Sequence, residues 1–328
     1  MAVPTLEALL GGRHDVVAVI SQPDRPRGRG RKFLPSPISE VALAAGAPLL
    51  RPDRVGEPEV AEALAKTQPD VGVVVAFGQF MPRRIRELPR LGYCINAHAS
   101  LLPRYRGASP IAQAILDGQT KTGISVMRVE REMDAGPVGL VRKIVIGEQE
   151  NAAELTERLA ALAAEALQEA LDLVESGDVV WREQDASRAT LAPKLSKEDG
   201  RLDWQQPARV LVQRIHGLAP RPGAFTSLPA RGGLDGRRER EERETLRILR
   251  ARALDAGGVT LPAPGTVRRG REPGMPALCI AAGDGWIEPL TLQRAGGRAM
   301  DVAAYLRGHD IEEGALLGAA GAGGADDG

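Results

Sequence analysis

Cysteine, net charge and long apolar runs are all scarce in this sequence, and each shortage excludes a class of protein. The two cysteines, Cys94 and Cys279, lie far apart without metal-ligand spacing, which argues against a disulfide scaffold and predicts no bound metal. The 43 basic and 43 acidic residues cancel, so any attraction to a nucleic acid must come from a local patch. No run approaches the roughly 18 apolar residues of a membrane span, and the N-terminus lacks a signal-peptide pattern. We therefore expect a protein of the cytoplasm that is not attached to a membrane.

The length of 328 residues indicates two domains, because single cores usually stop growing near about 250–300 residues. Composition places a first domain at 1–177, a polar linker at 178–196 and a second domain at 197–312. The Ala/Gly-rich end, 313–328, is typical of a disordered tail. The mixed-charge run at 237–244 is expected to be a solvated loop without a function.

The first domain alternates helical and strand patterns, which predicts an α/β fold with a mainly parallel sheet. Helices are predicted at 4–10, 37–45, 57–67, 110–116 and 151–176. Strands are predicted at 16–21, 71–77, 92–98, 122–129 and 140–146. The run at 71–77 is continuously apolar, which is typical of a strand buried on both faces. By composition, 22–37 is a loop.

Two polar side chains share one face of the strand predicted at 92–98. Asn96 and His98 are two residues apart, and strand side chains alternate with a period of two. Pro103 and Gly107 then force a loop, so the pair lies at the carboxyl end of the strand, where open parallel sheets bind ligands. Taken singly, each residue could equally satisfy a turn or a buried hydrogen bond, and only their context favours chemistry.

That context resembles a known family. Asn-x-His followed by Ser-Leu-Leu-Pro-x-Tyr-Arg-Gly-Ala, at 96–108, resembles the folate-dependent formyltransferases. The segments at 22–32, 194–198 with Asp203-Trp204, and 220–224 resemble, in the same order, the branch that formylates initiator methionyl-tRNA. The resemblance implies a Rossmann-like, mainly parallel formyltransferase domain followed by a small OB-like β-barrel domain. It spans most of the chain and thins after residue 224.

The resemblance implies transfer of a formyl group from 10-formyltetrahydrofolate to the α-amino group of methionine on initiator tRNA, for translation initiation. Acyl transfer needs donors for a developing oxyanion and a route for the amine's proton. Asn96 can donate two N–H groups, and histidine changes its charge near neutral pH, which suits His98 for the proton. Asp134 matches the family's aspartate, which orients the histidine and accepts the proton. Many relatives carry a second Asp where this chain has Pro137, which leaves the shape of that loop open.

The same resemblance implies the binding residues. Folate is expected beside two groups of residues, namely Phe77, Gly78 and Phe80, and Ser100, Leu101, Leu102 and Pro103. Phosphates of the tRNA are expected beside the basic side chains Arg25, Arg27, Arg29, Arg31 and Lys32, and beside Lys194 and Lys197 at the domain junction. For both basic segments the alternative is a solvated loop. We expect a monomer.

Two other functions stay open. A sugar-nucleotide N-formyltransferase also carries Asn-x-His but does not need the basic segments. The family has a strand and a Gly-Thr-Pro type loop before the first helix, whereas the given sequence begins with that helix. This difference suggests a second alternative, an inactive tRNA- or folate-binding remnant. Without that central strand, the strands at 16–21 and 71–77 are expected either about 10 Å apart or paired directly with each other.

Overall fold

The computed structural model describes residues 1–27, 32–229, 244–270, 272 and 275–318. These residues form two compact units. The first unit contains Met1–Ile111, Lys121–Val145 and Glu154–Pro193, and the second contains Ala112–Thr120, Ile146–Ala153 and the described residues from Lys194 onward. Within the described ranges, no helix combines the length and the apolar character that a crossing of a bilayer would require.

The helices of the first 193 residues follow the predicted pattern closely. They are α1 (Ala2–Leu10), α2 (Pro37–Ala44), α3 (Pro58–Lys66), α4 (Arg83–Arg86), α5 (Pro110–Leu116) and α6 (Ala152–Ser176). The start of α2 shows why: the Ser36 hydroxyl accepts a hydrogen bond from the Ser39 backbone N–H at 3.0 Å, and Pro37 occupies the first turn. The short helix α4 was not predicted.

The strands of this part are β1 (Val19–Ile20), β2 (Arg25–Arg27), β3 (Lys32–Leu34), β4 (Leu49–Leu50), β5 (Gly72–Val74), β6 (Cys94–His98), β7 (Arg106–Gly107), β8 (Lys121–Arg128), β9 (Val138–Val145) and β10 (Leu191–Ala192). Strand β1 pairs in parallel with β4, and β5 pairs in parallel with β6. Strands β8 and β9 extend the second sheet in antiparallel fashion, in the order β5-β6-β8-β9. The predicted α/β class is confirmed, with an antiparallel edge on the parallel strands.

Two local predictions are wrong. Residues 22–37 are not simply a loop, because β2 and β3 form an antiparallel hairpin in which Arg25 lies opposite Leu34. Pro26 fits there because a two-stranded ribbon leaves edges that do not need its missing N–H. The apolar run at 71–77 is not buried on both faces, since β5 covers only Gly72–Val74 and its residues are half-buried.

The sheet of β1 and β4 and the four-stranded sheet that contains β5 are joined by side chains. Among the described strands no ladder pair connects β1 with β5, so direct pairing of these strands does not occur. Instead, the Gln22 amide donates to the Phe77 carbonyl at 2.7 Å. Around it an apolar cluster contains residues from both sides, namely Ala18, Ile20, Leu50, Val55, Val60, Leu64, Phe77 and Ile85.

The second unit is built on an antiparallel sheet. Its elements are α7 (Ala208–Leu218), β11 (Ala224–Ser227), β12 (Thr245–Asp255), β13 (Val267–Arg269), β14 (Leu278–Ala281), β15 (Gly285–Arg294), β16 (Ala299–Asp301) and α8 (Val302–Gly308). The strand order is β11-β12-β15-β14-β13, with β16 on β15. Leu211 and Ile215 of α7 pack into the core of this sheet. A small β domain is therefore confirmed; within the described strands, no ladder pair joins β13 back to β11.

The predicted disordered tail begins too early. Leu317 is only 2% exposed, and its N–H donates to the Gly265 carbonyl at 2.9 Å. The Gly318 N–H donates to the Ser227 carbonyl at 3.0 Å. Leu317 packs into the core of the second unit, a contact that the Ala/Gly-rich composition does not indicate. The rest of the tail, 319–328, and the mixed-charge run except Glu244 lie outside the described residues.

Candidate active site

Strand β6 carries the two polar residues at the centre of the site. Asn96 lies opposite Val74 of β5 and Met127 of β8, and His98 lies opposite Ser125 of β8. Because β6 has a neighbour on each side, its backbone is held firmly and its side chains project from the sheet in alternation. Asn96 and His98 therefore share a face, as predicted, with His98 6% exposed and Asn96 half-buried.

The two nitrogens of His98 have different partners. Nε2 lies 2.7 Å from the carbonyl oxygen of Tyr105. Since a carbonyl oxygen only accepts hydrogen bonds, this contact assigns a proton to Nε2 and leaves Nδ1 as the nitrogen that gains and loses one. Nδ1 lies 3.5 Å from Oδ2 of Asp134. That distance suits an ion pair with a doubly protonated ring and exceeds an ordinary hydrogen bond.

Asp134 reaches this position through an unusual backbone. Its φ is 53°, in the left-handed region that costs a residue other than glycine about 1–2 kcal/mol. The Gly107 N–H donates to Asp134 Oδ2 at 2.8 Å, so one carboxylate oxygen faces both Gly107 and His98. Pro137, the departure from the family pattern, closes the loop: its carbonyl accepts from the Arg128 N–H at 2.9 Å.

The segment after β6 is folded back by hydroxyl groups. The Ser100 hydroxyl donates to the Arg104 carbonyl at 2.6 Å. The Ser125 hydroxyl donates to the Ser100 carbonyl at 2.7 Å and accepts from the Leu102 N–H at 3.1 Å. These bonds bring Tyr105 back to the His98 ring. Ser100 is fully buried, so its side chain serves this turn.

Residues expected in a linker instead support the site. Strand β10 pairs in parallel with β7, and residues up to Pro193 belong to the first unit, so a linker at 178–196 is wrong for most of its length. The Thr190 hydroxyl accepts from the Tyr105 N–H at 2.9 Å, and the Thr190 carbonyl accepts from the Arg106 N–H at 2.9 Å. Sequence reasoning missed Thr190 and Gln184, because both lie outside the regular strands, in a polar segment whose hydrogen bonds reach residues far away in the sequence.

The site contains hydrogen-bond donors on Asn96 and a base in His98, and its buried Cys94 is not a thiolate. Among the described residues, no side-chain partner engages the Asn96 amide, so both of its N–H groups can serve a ligand. Cys94 also lies in β6, but burial raises the pKa of its thiol to about 12, which keeps it protonated and unreactive at neutral pH. The arrangement can therefore stabilise an oxyanion and move a proton.

The residues predicted to border folate differ in their surroundings. Leu101, Leu102 and Pro103 are half-buried in the turn after β6. Phe80 is 72% exposed and Gly78 is exposed, whereas Phe77 packs against the apolar cluster around Val55. No described contact tests their binding of a ligand, and these assignments stay predictions.

The basic candidates are only partly described. Arg25 is exposed on β2, Arg27 and Lys32 are opposite each other in the hairpin backbone, and Arg29 and Arg31 lie outside the described residues. In the second unit, Lys194 and Lys197 are exposed. Their turn is locked by Asp199, whose Oδ2 accepts from the Ser196 N–H at 2.7 Å and hydroxyl at 2.8 Å. These two bonds hold the pKa of the Asp199 carboxyl below its usual value.

One group of side chains within the described residues has the composition of a metal site. His14, Asp172 and Glu175 lie together, with the two carboxylates on α6 and His14 in the segment after α1. Arg13 contacts both carboxylates, so their charge is already compensated by a guanidinium. This group carries no functional assignment.

Gly107 provides a test of the close pairing between β7 and β10. Its φ is 119°, and an added Cβ would lie 2.7 Å from the Ala192 carbonyl oxygen. At Gly92, φ is 78° and an added Cβ would meet nothing within 4 Å. We expect Gly92→Ala to cost about 1–2 kcal/mol of unfolding free energy, from backbone strain alone. Gly107→Ala should cost about 1–3 kcal/mol more, because of the clash. Urea unfolding measures both, and equal losses would contradict the described packing.

Comparisons with known proteins identify the family to which both parts of the chain are similar. Residues 2–171 match the family model described as formyl transferase, and residues 194–310 match the formyl transferase C-terminal domain. A protein of Solibacter usitatus named methionyl-tRNA formyltransferase is 42% identical over 97% of this chain and 95% of its own length.

Solved structures show the same fold at low identity. HypX from Aquifex aeolicus, in complex with tetrahydrofolic acid, is 19% identical with a TM-score of 0.56, covering 84% of this chain and 45% of its own. WlaRD, a sugar 3N-formyl transferase, is 13% identical with a TM-score of 0.59, covering 90% of this chain and 95% of its own. The family matches and the identity to the Solibacter protein place the chain in the formyl transferase family.

Proposed function

We propose that this chain transfers the formyl group of 10-formyltetrahydrofolate to the α-amino group of methionine on initiator methionyl-tRNA, the step that prepares this tRNA for translation initiation. The observation that carries the proposal is the arrangement of Asn96, His98 and Asp134 at the end of β6, in a chain 42% identical to a methionyl-tRNA formyltransferase over nearly its whole length. The first unit performs the chemistry. The protein acts in the cytoplasm as a monomer.

The Asn96 amide stabilises the developing charge. When the amine attacks the formyl carbon, the carbonyl oxygen becomes an oxyanion, and the uncommitted N–H groups of Asn96 donate to it. A preorganised donor of this kind contributes about 3–4 kcal/mol to the transition state where it has been measured in other enzymes. Because β6 is paired on both sides, the backbone that carries the amide is already fixed before the reaction.

His98 and Asp134 handle the proton. The attacking amine must lose one proton as the new C–N bond forms, and N10 of the folate must gain one as its bond to the formyl carbon breaks. Nδ1 of His98 is the nitrogen that makes no hydrogen bond to the backbone. Asp134 Oδ2 lies beside it and compensates the positive charge of the protonated ring. The Nε2–H remains bonded to Tyr105, so the ring keeps its orientation while Nδ1 takes and returns the proton.

Folate and tRNA bind to different parts of the molecule in this proposal. The half-buried turn of Leu101, Leu102 and Pro103 and the exposed Phe80 supply apolar contacts for the folate, with Gly78 leaving room beside them. The hairpin of β2 and β3 presents a basic segment to tRNA phosphates. Exposed lysines of the second unit, Lys194 and Lys197, add further phosphate contacts.

A formylation assay tests the proposed function. The chain is incubated with 10-formyltetrahydrofolate and either charged initiator tRNA or an amino-sugar nucleotide, and the products are identified by mass spectrometry. We expect formylmethionyl-tRNA and no formylated sugar. Formylation of the sugar nucleotide without the tRNA, or no turnover with either substrate, would overturn the proposal.

The catalytic assignments predict the effect of single substitutions. Asn96→Ala, His98→Ala and Asp134→Ala should each lower turnover by at least about 10²-fold while folate binding largely survives. Combined variants should lose less than the product of the single losses, because the residues act as a unit. His14→Ala is the control and should keep full turnover. Any one of the three variants with near-normal turnover would remove that residue from the mechanism.

The basic segment should supply tRNA affinity and not catalysis. Replacing Arg27, Arg29 and Arg31 together by Gln should weaken tRNA binding and reduce the slope of log K against log salt by about one unit for each phosphate that the protein no longer neutralises. The matched control replaces three exposed arginines of the second unit, Arg209, Arg298 and Arg307. An unchanged salt slope in the first triple variant would show that the segment does not bind phosphates.

A further inference from the structure

Gln184 uses its whole amide to connect two segments of the site. Its Nε2 donates to the carbonyl oxygens of Asp134 and Gly136, each at 2.8 Å. Its Oε1 accepts from Nε and Nη2 of Arg106, at 3.1 and 2.8 Å. A side-chain amide has two donors and two lone pairs, so these four bonds exhaust its capacity.

The two connected segments are the ones whose relative position matters for His98. Gly136 lies in the loop that carries Asp134, and Arg106 lies in β7, between the residue that bonds His98 Nε2 and the residue that bonds the Asp134 carboxylate. A residue other than glycine keeps a left-handed backbone only where its surroundings enforce that conformation. The hydrogen bond to the Asp134 carbonyl is such a constraint, and it acts on the backbone directly.

We propose that Gln184 is a positioning residue for formyl transfer, which holds the Asp134 loop against β7 so that the Asp134 carboxylate stays beside His98 Nδ1. This inference rests on the role proposed for Asp134. Gln184 does not act on the reacting atoms. It sets the geometry of a residue that does, and a displacement of about 1 Å at such a residue can lower a rate by about 10²-fold.

Two substitutions distinguish the role of the Gln184 N–H donors from that of its oxygen acceptor. Gln184→Met keeps the approximate length of the side chain but removes all four hydrogen bonds. Gln184→Glu keeps an acceptor for Arg106 and removes both donors to the loop carbonyls. If the donors matter, the two variants should be impaired alike. The matched control is Gln168→Met, because the Gln168 amide also donates to a backbone carbonyl, that of Ala8 in α1 at 2.9 Å.

Steady-state kinetics on the full chain provides the first readout. We expect Gln184→Met and Gln184→Glu to lower kcat by about 10–10²-fold with little change in KM for tRNA or folate, and Gln168→Met to remain near the parent. When Asp134 is already replaced by Ala, adding Gln184→Met should lower kcat by less than about a further twofold. The reason is that the carboxylate that Gln184 positions is no longer present. Recovery of turnover by Gln184→Glu, or an undiminished effect in the Asp134→Ala background, would overturn the proposal.

Hydrogen exchange of the loop amides provides a readout that does not depend on activity. Gln184→Met should speed exchange in residues 130–137, and Gln168→Met should not. If Asp134→Ala keeps turnover but exchange still rises in Gln184→Met, then Gln184 does hold the loop and Asp134 has no catalytic role. If exchange in 130–137 is unchanged, the connection itself is wrong, whatever the kinetics show.

Discussion

The hydrogen bond between His98 Nε2 and the Tyr105 carbonyl is the contact on which the rest of the site depends. At 2.7 Å it joins the end of β6 to a residue seven positions later, so the intervening chain must fold back tightly. The hydroxyl groups of Ser100 and Ser125 provide that turn. Because the bond commits one ring nitrogen, the other is the only position on His98 that can exchange a proton with a substrate. The fold of this segment therefore determines that Nδ1 is the reacting nitrogen of His98.

A second constraint acts from the opposite side of the ring. Asp134 has a strained backbone, and its carboxylate is held by Gly107 while its carbonyl is held by Gln184. Both restraints reach back to β7, which is itself fixed by its pairing with β10. The carboxylate is therefore positioned before any substrate arrives. An aspartate placed in this way contributes electrostatic stabilisation without reorganising during the reaction.

The parts of this structure that could be predicted are those with strong local signals. Helix α2 has a capping serine, α6 has repeated buried apolar positions, and Asn96 and His98 follow from the period of a strand. The supports could not be predicted, because Gln184 and Thr190 act through long-range hydrogen bonds from a segment of polar composition. The hairpin of β2 and β3 was missed for a related reason: Gly and Pro indicated a turn but not the short strands on either side of it.

The tautomer of His98 tests most directly whether its bond to the Tyr105 carbonyl determines which ring nitrogen reacts. The chain has four histidines, so nitrogen NMR of a sample labelled at histidine can be assigned with one His98→Gln variant. When the ring is neutral, we expect the proton on Nε2 of His98 and none on Nδ1. Protonation of the ring should then add the proton at Nδ1, and removal of the Asp134 carboxylate by Asp134→Asn should alter the signal of that nitrogen most. A neutral ring that carries its proton on Nδ1 would show that the bond to Tyr105 does not determine the reacting nitrogen.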